Sequence, residues 1–233
     1  MKRRDGPAVR GKSLRKRAAG FTPGEAGRQE SPADRFGAEF YRRYYLDPAT
    51  RVASRADAER LGNVFCSHLA YLGVPVRRVL DAGCGLGHMR GPVRRFFPQA
   101  RYVGLETSAW LCGRHGWTQS TIEQFRSNDP FDLVICHDVL QYLDDAAAAR
   151  AIANLGRLSR AALFVSVLTR EDWLRHADRA RTDAEVHLRT AGWYRQRLLR
   201  RFRPLSGGLL LRRGLKPLLW ELERPWPGQA RRS

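Results

Sequence analysis

The chain predicts an α/β protein built on a doubly wound, mostly parallel, seven-stranded sheet with a C-terminal antiparallel hairpin. Three observations predict it. Short apolar runs alternate with helix-patterned stretches from Arg78 onward, the first run passes directly into a glycine-rich turn, and a Gly-Gly pair near the C-terminus precedes leucine-rich segments. Strands that alternate with helices pair in parallel, because each return to the sheet uses a crossover.

Residues 1–34 carry many Arg, Lys, Gly and Pro and almost no apolar periodicity, so burial cannot offset the entropy of ordering them. A disordered basic tail is expected there, followed by one domain over 35–233. The run AEFYRRYY over 38–45 is aromatic and basic, and 53–72 places Leu61, Val64, Leu69 and Leu72 at helical intervals, so two helices precede the sheet. Strands are expected at 78–82, 102–106, near Trp117, and at 131–137, with helices at 88–97 and 109–115 between them. The Ala-rich stretch 146–158 has high helix propensity, and 161–168 is a continuous apolar run suited to a central strand covered on both faces. A helix is expected over 190–202. The turn Ser206-Gly207-Gly208, then 209–211 and 215–222, reads as the closing hairpin.

Composition limits the function classes. The 233 residues are 43% hydrophobic, enough to bury the core of one ordinary domain. Cys66, Cys84, Cys112 and Cys136 lack the paired spacing of a zinc or dithiol centre and read as reduced, mostly buried thiols; no metal is expected. No apolar run approaches a membrane span of ~20 residues, and no apolar stretch of the secretory kind follows the basic N-terminus, so a soluble cytoplasmic protein with no membrane partner is expected. The formal net charge of +19 has two readings. Arginines such as Arg42, Arg43, Arg94 and Arg95 solvate helix faces, or the basic start (Lys2, Arg3, Arg4, Arg10, Lys12, Arg15, Lys16, Arg17) and the cluster Arg195, Arg197, Arg200, Arg201 and Arg203 bind nucleic acid. Charge alone does not separate them.

The most informative stretch is VLDAGCGLG over 79–87, an apolar strand running into G-x-G-x-G and then a helix. Gly83 and Gly85 can take backbone angles closed to residues with a Cβ and let a ligand lie against the main chain at the carboxyl end of the strand; Gly87 lets the helix start close to the sheet. The next strand, YVGLE over 102–106, ends in Glu106, 19 residues after Gly87, near the offset at which a carboxylate meets a ribose. A carboxylate accepts from the 2′- and 3′-hydroxyls together and rejects a 2′-phosphate.

VLDAGCGLG, YVGLETS and FDLVICHDVLQYL together resemble the class I S-adenosylmethionine-dependent methyltransferases, over roughly 77–168. The resemblance implies a Rossmann-like fold with S-adenosyl-L-methionine as cofactor. It implies that Asp81 orients the amino-acid end of the cofactor and that Gly83, Cys84, Gly85 and Gly87 form its turn, with Glu106 and Thr107 at the ribose. The family commonly places an acidic residue after the third strand for the adenine; this chain has 117–123 as WTQSTIE, so Ser120 or Gln119 takes that role, with Thr121 beside it. His137 falls beside the methionine moiety. As in many relatives, helices over 35–75 form an N-terminal lid, in which Phe40, Tyr41, Tyr44 and Tyr45 either meet the cofactor carboxylate or simply pack. G-x-G-x-G in place of G-x-G-x-x-G favours a methyl donor over NAD.

Methyl transfer from a sulfonium is an in-line displacement, so proximity and alignment dominate, with a general base only where the nucleophile loses a proton. His137, His187 and Asp172 are the candidate bases, each beyond a strand's carboxyl end or in a polar stretch after one. Trp173, Trp193 and Tyr194 wall a substrate pocket or belong to the core. A small-molecule acceptor methylated at oxygen or nitrogen is the leading expectation, since no RNA-binding appendage and no N-P-P-Y-type motif is visible. RNA is the alternative acceptor, and a non-catalytic cofactor-binding regulator the third possibility. Oligomeric state is not indicated.

Overall fold

The computed structural model describes residues 35–223, so the expected basic tail over 1–34 lies outside the described residues. Two helical segments come first: α1 (Ala38–Tyr41), continued by a π-helical turn over Arg42–Leu46, and α2 (Arg55–Tyr71). Ser54 starts α2 with a capping box, its hydroxyl accepting from Asp57 N while the Asp57 carboxylate accepts from Ser54 N. Val64, expected on the apolar face of α2, faces solvent instead, while Phe65, Cys66 and Leu69 are buried.

The alternating part follows as β1 (Arg78–Ala82), α3 (Arg90–Phe96), β2 (Arg101–Glu106), α4 (Ala109–His115), β3 (Thr118–Gln119), β4 (Phe131–His137), α5 (Asp145–Leu158) and β5 (Ser159–Ser166). After α6 (Arg170–Arg175) and α7 (Ala191–Leu198), β6 (Phe202–Ser206) and β7 (Leu209–Arg212) complete one sheet in the order β3-β2-β1-β4-β5-β7-β6. β1 to β5 are mutually parallel, and β7 runs antiparallel to both β5 and β6.

Both sheet faces are covered, which explains the unbroken apolar runs. Leu80, Val134, Leu163 and Val165 point to the layer of α5 and α7, where they meet Ile152, Leu155 and Leu198. Val79, Leu133, Ile135 and Phe164 point to the other layer, against Phe65 and Leu69 of α2 and Val93 of α3. At the N-terminal ends of the strands, buried Asp132 accepts from Arg77 N and Arg78 N at 2.8 and 2.9 Å and from Arg160 Nε at 2.5 Å. Burial works to raise its pKa, but Arg160 and the two N–H donors outweigh burial and hold it below the usual range.

Two expectations are corrected. The helix over 190–202 stops at Leu198, because Phe202 is needed in the core and opens β6. The hairpin joins β6 and β7 around Gly207 and Gly208, and 215–222 is not a strand: with β6 holding the sheet edge, Leu218, Trp220 and Leu222 are exposed. Gly208 has φ +84°, and a Cβ there would lie 2.6 Å from Val165 O. Gly208→Ala therefore loses about 1–3 kcal/mol from the left-handed backbone alone, read as a lower denaturant midpoint; an unchanged midpoint contradicts this packing of the hairpin.

Candidate functional site

Strand order reverses between β1 and β4, and ligands of open α/β sheets bind at the carboxyl ends of the strands beside such a point. The glycine turn sits there. Gly85 adopts φ +50°, and its N–H donates to Glu106 Oε2 at 2.9 Å. The other oxygen of Glu106 accepts from Thr107 N at 2.8 Å and Ser108 N at 3.1 Å. The buried carboxylate at the end of β2 thus binds the turn of β1 to the start of α4.

The three glycines of the turn have different neighbours. A Cβ on Gly83 would collide with Val139, and one on Gly87 would lie 2.7 Å from the Trp117 ring, whose Nε1 donates to Gly85 O at 3.0 Å. Gly83 and Gly87, both at positive φ as the turn requires, thus leave room for side chains of this protein. Only Gly85 faces the N-terminal segment, with the Tyr41 ring 3.5 Å from its Cβ position.

Asp81 is buried beneath the turn and accepts a hydrogen bond from the Tyr102 hydroxyl. Burial pushes its carboxyl up to about 7, against the opposing effect of that hydrogen bond. Burial also pushes the Cys84 thiol well above its ordinary value, aided by Asp81 and Glu106.

Beyond β4, His137 Nε2 lies 3.3 Å from Asp138 Oδ2. Asp138 is the sole non-glycine residue with positive φ among the described residues, at 55°. Its carboxylate accepts from Ser166 Oγ at 3.2 Å, and its N–H donates to Ser166 O at 2.9 Å. Register pairs Asp81 with Ile135, so His137 flanks Gly83. Buried Arg189 braces the same turn, donating from Nη1 to Leu140 O at 3.2 Å, from Nη2 to Leu143 O and from Nε to Asp145 Oδ1 at 2.7 Å.

The N-terminal segment closes over these groups. Tyr41 is buried over the turn, and burial together with the nearby Glu106 carboxylate pushes its phenol well up. Its ring stacks on Trp110 at 6.0 Å. Tyr45 packs on Tyr41 at 5.4 Å; burial, then Asp138 and Glu106, raise its phenol, so it sits within the field of both carboxylates. Arg35 pins the segment by donating to Asp183 Oδ2 at 2.9 Å and Glu185 O at 2.7 Å. Beside the turn, a cleft of about 410 Å³ is lined by Gly87, His88, Arg55, Trp110, Arg114 and His115.

Around Glu106 the structure thus gathers Asp81, Cys84, Gly85, Thr107 and Tyr45, with Ser120 N bonded to Glu106 O at 3.0 Å. Thr121 Oγ1 instead accepts from Gln124 N at 3.3 Å and starts the turn toward Phe125. Asp172 is engaged in a capping box, accepting from Thr169 Oγ1 at 2.6 Å at the start of α6. His187 is exposed and reaches the turn after β4 through its backbone, donating to Gln141 O at 2.7 Å. Three neighbours escape the linear pattern: Tyr102, Trp110 and Asp138. Of these, Asp138 carried a signal, as an acid directly after a strand-ending histidine.

A family model described as Methyltransferase domain matches residues 38–205. A trans-aconitate 2-methyltransferase from Deinococcus radiodurans is 34% identical over 77 residues, a stretch covering 30% of this chain and 30% of the relative's length. Among solved structures, the magnesium protoporphyrin IX methyltransferase ChlM of Synechocystis PCC 6803 with bound SAM shares 19% identity at a TM-score of 0.50, covering 66% of this chain and 79% of that one. The N-methyltransferase NodS of Bradyrhizobium japonicum WM9 in complex with S-adenosyl-L-homocysteine shares 18% identity at 0.50, covering 67% and 88%. At these identities the two structures establish the shared fold. Among the described residues, no helix is long and apolar enough to cross a membrane.

Asp81 gives the site a pH signature. Its folded pKa of about 7 lies above the ordinary carboxylate value of 3.8, so the native state holds the proton more tightly and stability falls as pH rises from about 4 to 7. Asp81→Asn keeps the Tyr102 bond without that ionisation. Its stability relative to wild type should rise across this window by up to about 4 kcal/mol, measured by denaturant unfolding at each pH; parallel pH profiles would contradict it.

Proposed function

Because the chain belongs to the methyltransferase-domain family, we propose that it is an S-adenosyl-L-methionine-dependent enzyme that methylates oxygen or nitrogen of a small-molecule acceptor. The observation that carries this reading is the Glu106 carboxylate fixed at Gly85 by backbone donors, an acceptor-only group suited to the two hydroxyls of an unphosphorylated ribose.

The donor set fits this cofactor. Glu106 and Gly85 would hold the ribose, Asp81, Cys84 and Gly83 would shape the turn beneath the amino-acid end, and Thr107 and Ser120 would border the nucleoside. Oε2 of Glu123, in the segment after β3, is buried without a partner among the described residues, which suits the donor amino group of an adenine. Ser120 has no such vacancy to fill, its hydroxyl donating to Thr121 O at 3.4 Å. The lid over 35–75 would exclude water, with Tyr41 over Gly85 and Tyr45 covering the space between Glu106 and Asp138.

The bound cofactor supplies an electrophilic sulfonium methyl. His137 serves as the base: with Nε2–H donated to Asp138, Nδ1 carries the lone pair that accepts the acceptor's proton. Asp138 stabilises the imidazolium and fixes the tautomer, and Ser166 and Arg189 hold the turn that presents both. The cleft with Arg114, His88 and His115, where Arg55 is paired with Glu59, favours an acceptor that carries an acidic group.

Calorimetric titration tests the cofactor. S-adenosyl-L-methionine should bind saturably and NAD should not; Glu106→Ala should weaken binding at least tenfold and also cost about 1–3 kcal/mol, because buried N–H groups lose their acceptor. Unchanged affinity removes Glu106 from the site, and binding of NAD alone overturns the proposal. A second test screens small organic acids with a methyl-labelled donor. On an acceptor so found, His137→Ala should lower kcat by about 10²–10⁴ with donor affinity retained, and Asp138→Asn should lower it less; an unaltered rate removes His137 as the base.

A further inference from the structure

Among the described residues, a strongly one-sided charge lies away from the glycine turn. Residues 186–220 contain nine Arg and Lys and no Asp or Glu, and α5 beyond Asp145 carries Arg150 and Arg157 with no carboxylate. Where α5 and α7 lie side by side, Arg197, Arg200 and Arg201 line a groove of about 510 Å³ whose floor includes Ala149, Ala153 and Phe202. α5 turns Ala146, Arg150, Ala153 and Arg157 outward, a small-residue ridge edged by guanidinium groups.

Two of these cations, Arg197 and Arg201, are held in place without counter-ions. Arg197 lies 3.7 Å from the Trp193 ring centroid and donates to Trp193 O at 3.1 Å. The stem of Arg201 crosses Gly156, where a Cβ would approach its Cδ at 2.6 Å. Among the described residues, no carboxylate pairs with Arg157, Arg197, Arg200 or Arg201. Guanidinium groups fixed this way lose little entropy on meeting phosphate and match it bidentately.

Position decides what such a surface can do. α5 runs into the start of β5, and the end of α7 runs into the start of β6. Arg157, Arg200 and Arg201 therefore sit at the N-terminal ends of the strands, opposite the end that carries Glu106 and His137. A polyanion bound there is not presented to the candidate base.

We infer that the α5–α7 face docks the phosphate backbone of a nucleic acid. An anionic lipid surface fits less well, because membrane-surface helices insert large apolar side chains beside their cations, whereas none of the exposed large hydrophobic residues lies on α5 or α7. Docking is independent of the acceptor: it positions the enzyme without supplying its substrate.

Fluorescence anisotropy of a labelled 20-nucleotide RNA, and of the same DNA sequence, tests this on the full chain. Wild type should bind with steep salt dependence, and Arg197→Gln/Arg200→Gln/Arg201→Gln should weaken binding tenfold or more and flatten the log–log salt slope by about 2, near 0.7 per lost single-strand phosphate contact. Arg157→Gln/Arg200→Gln, two exposed side chains with no hydrogen bond among the described residues, should weaken binding in the same direction at an unchanged thermal midpoint. Binding of RNA, DNA or both with this sensitivity supports the inference. Wild-type affinity in both variants overturns it, as does binding to anionic phospholipid vesicles with none to either nucleic acid.

Discussion

The Glu106 carboxylate organises the site before any ligand arrives. It sits where β2 ends, and its hydrogen bonds reach across to Gly85 of the neighbouring turn and forward to the first residues before α4. A buried anion needs such donors, and the backbone supplies them only if the turn and the start of α4 are held in one arrangement. Gly85 is then held on both sides, its N–H on Glu106 and its carbonyl on Trp117, and Tyr41 closes over the top. The loss of this one acceptor would leave several loops without a common anchor.

A second arrangement of the same kind lies across the switch point. Arg189 is a buried cation that donates to carbonyls of the turn after β4 and to Asp145 at the start of α5. Through these bonds the stretch after β5, distant in sequence, determines the shape of the turn after β4. Asp138 adopts its left-handed backbone inside that frame, tied to Ser166 on both its backbone and its side chain. The candidate base and its orienting acid are thereby held by the sheet itself, a more rigid support than a free loop.

The legible part of the fold was the part set by local pattern. β1, α4 and β4 fall where apolar runs and caps place them, because both faces of the central sheet demand unbroken apolar strands. The end of α7 was misread because LLRRF continues a helical pattern, and only the core's need for Phe202 stops it. In the site, Glu106 and Gly85 were legible from spacing. Tyr102, Trp110 and the Trp117 wedge were not, because each meets its partner through sheet register or helix packing and leaves no mark in spacing. Asp172 shows the opposite failure, since a polar acid after a strand looks the same whether it serves chemistry or caps a helix.

Past the switch point between β1 and β4, the order of strands in space departs again from their order in the chain where β7 lies between β5 and β6. As the chain leaves the ribosome, β5 has no partner on that side until residues 209–212 have emerged, some forty residues after β5 itself ends. Throughout that interval Ala162, Leu163 and Phe164 present an apolar, unpaired edge of the kind that recruits foreign strands. The vulnerable moment of this protein's biosynthesis thus falls late, when the nucleotide-type half of the sheet is already assembled, and the hairpin acts as the clasp that ends its exposure to aggregation.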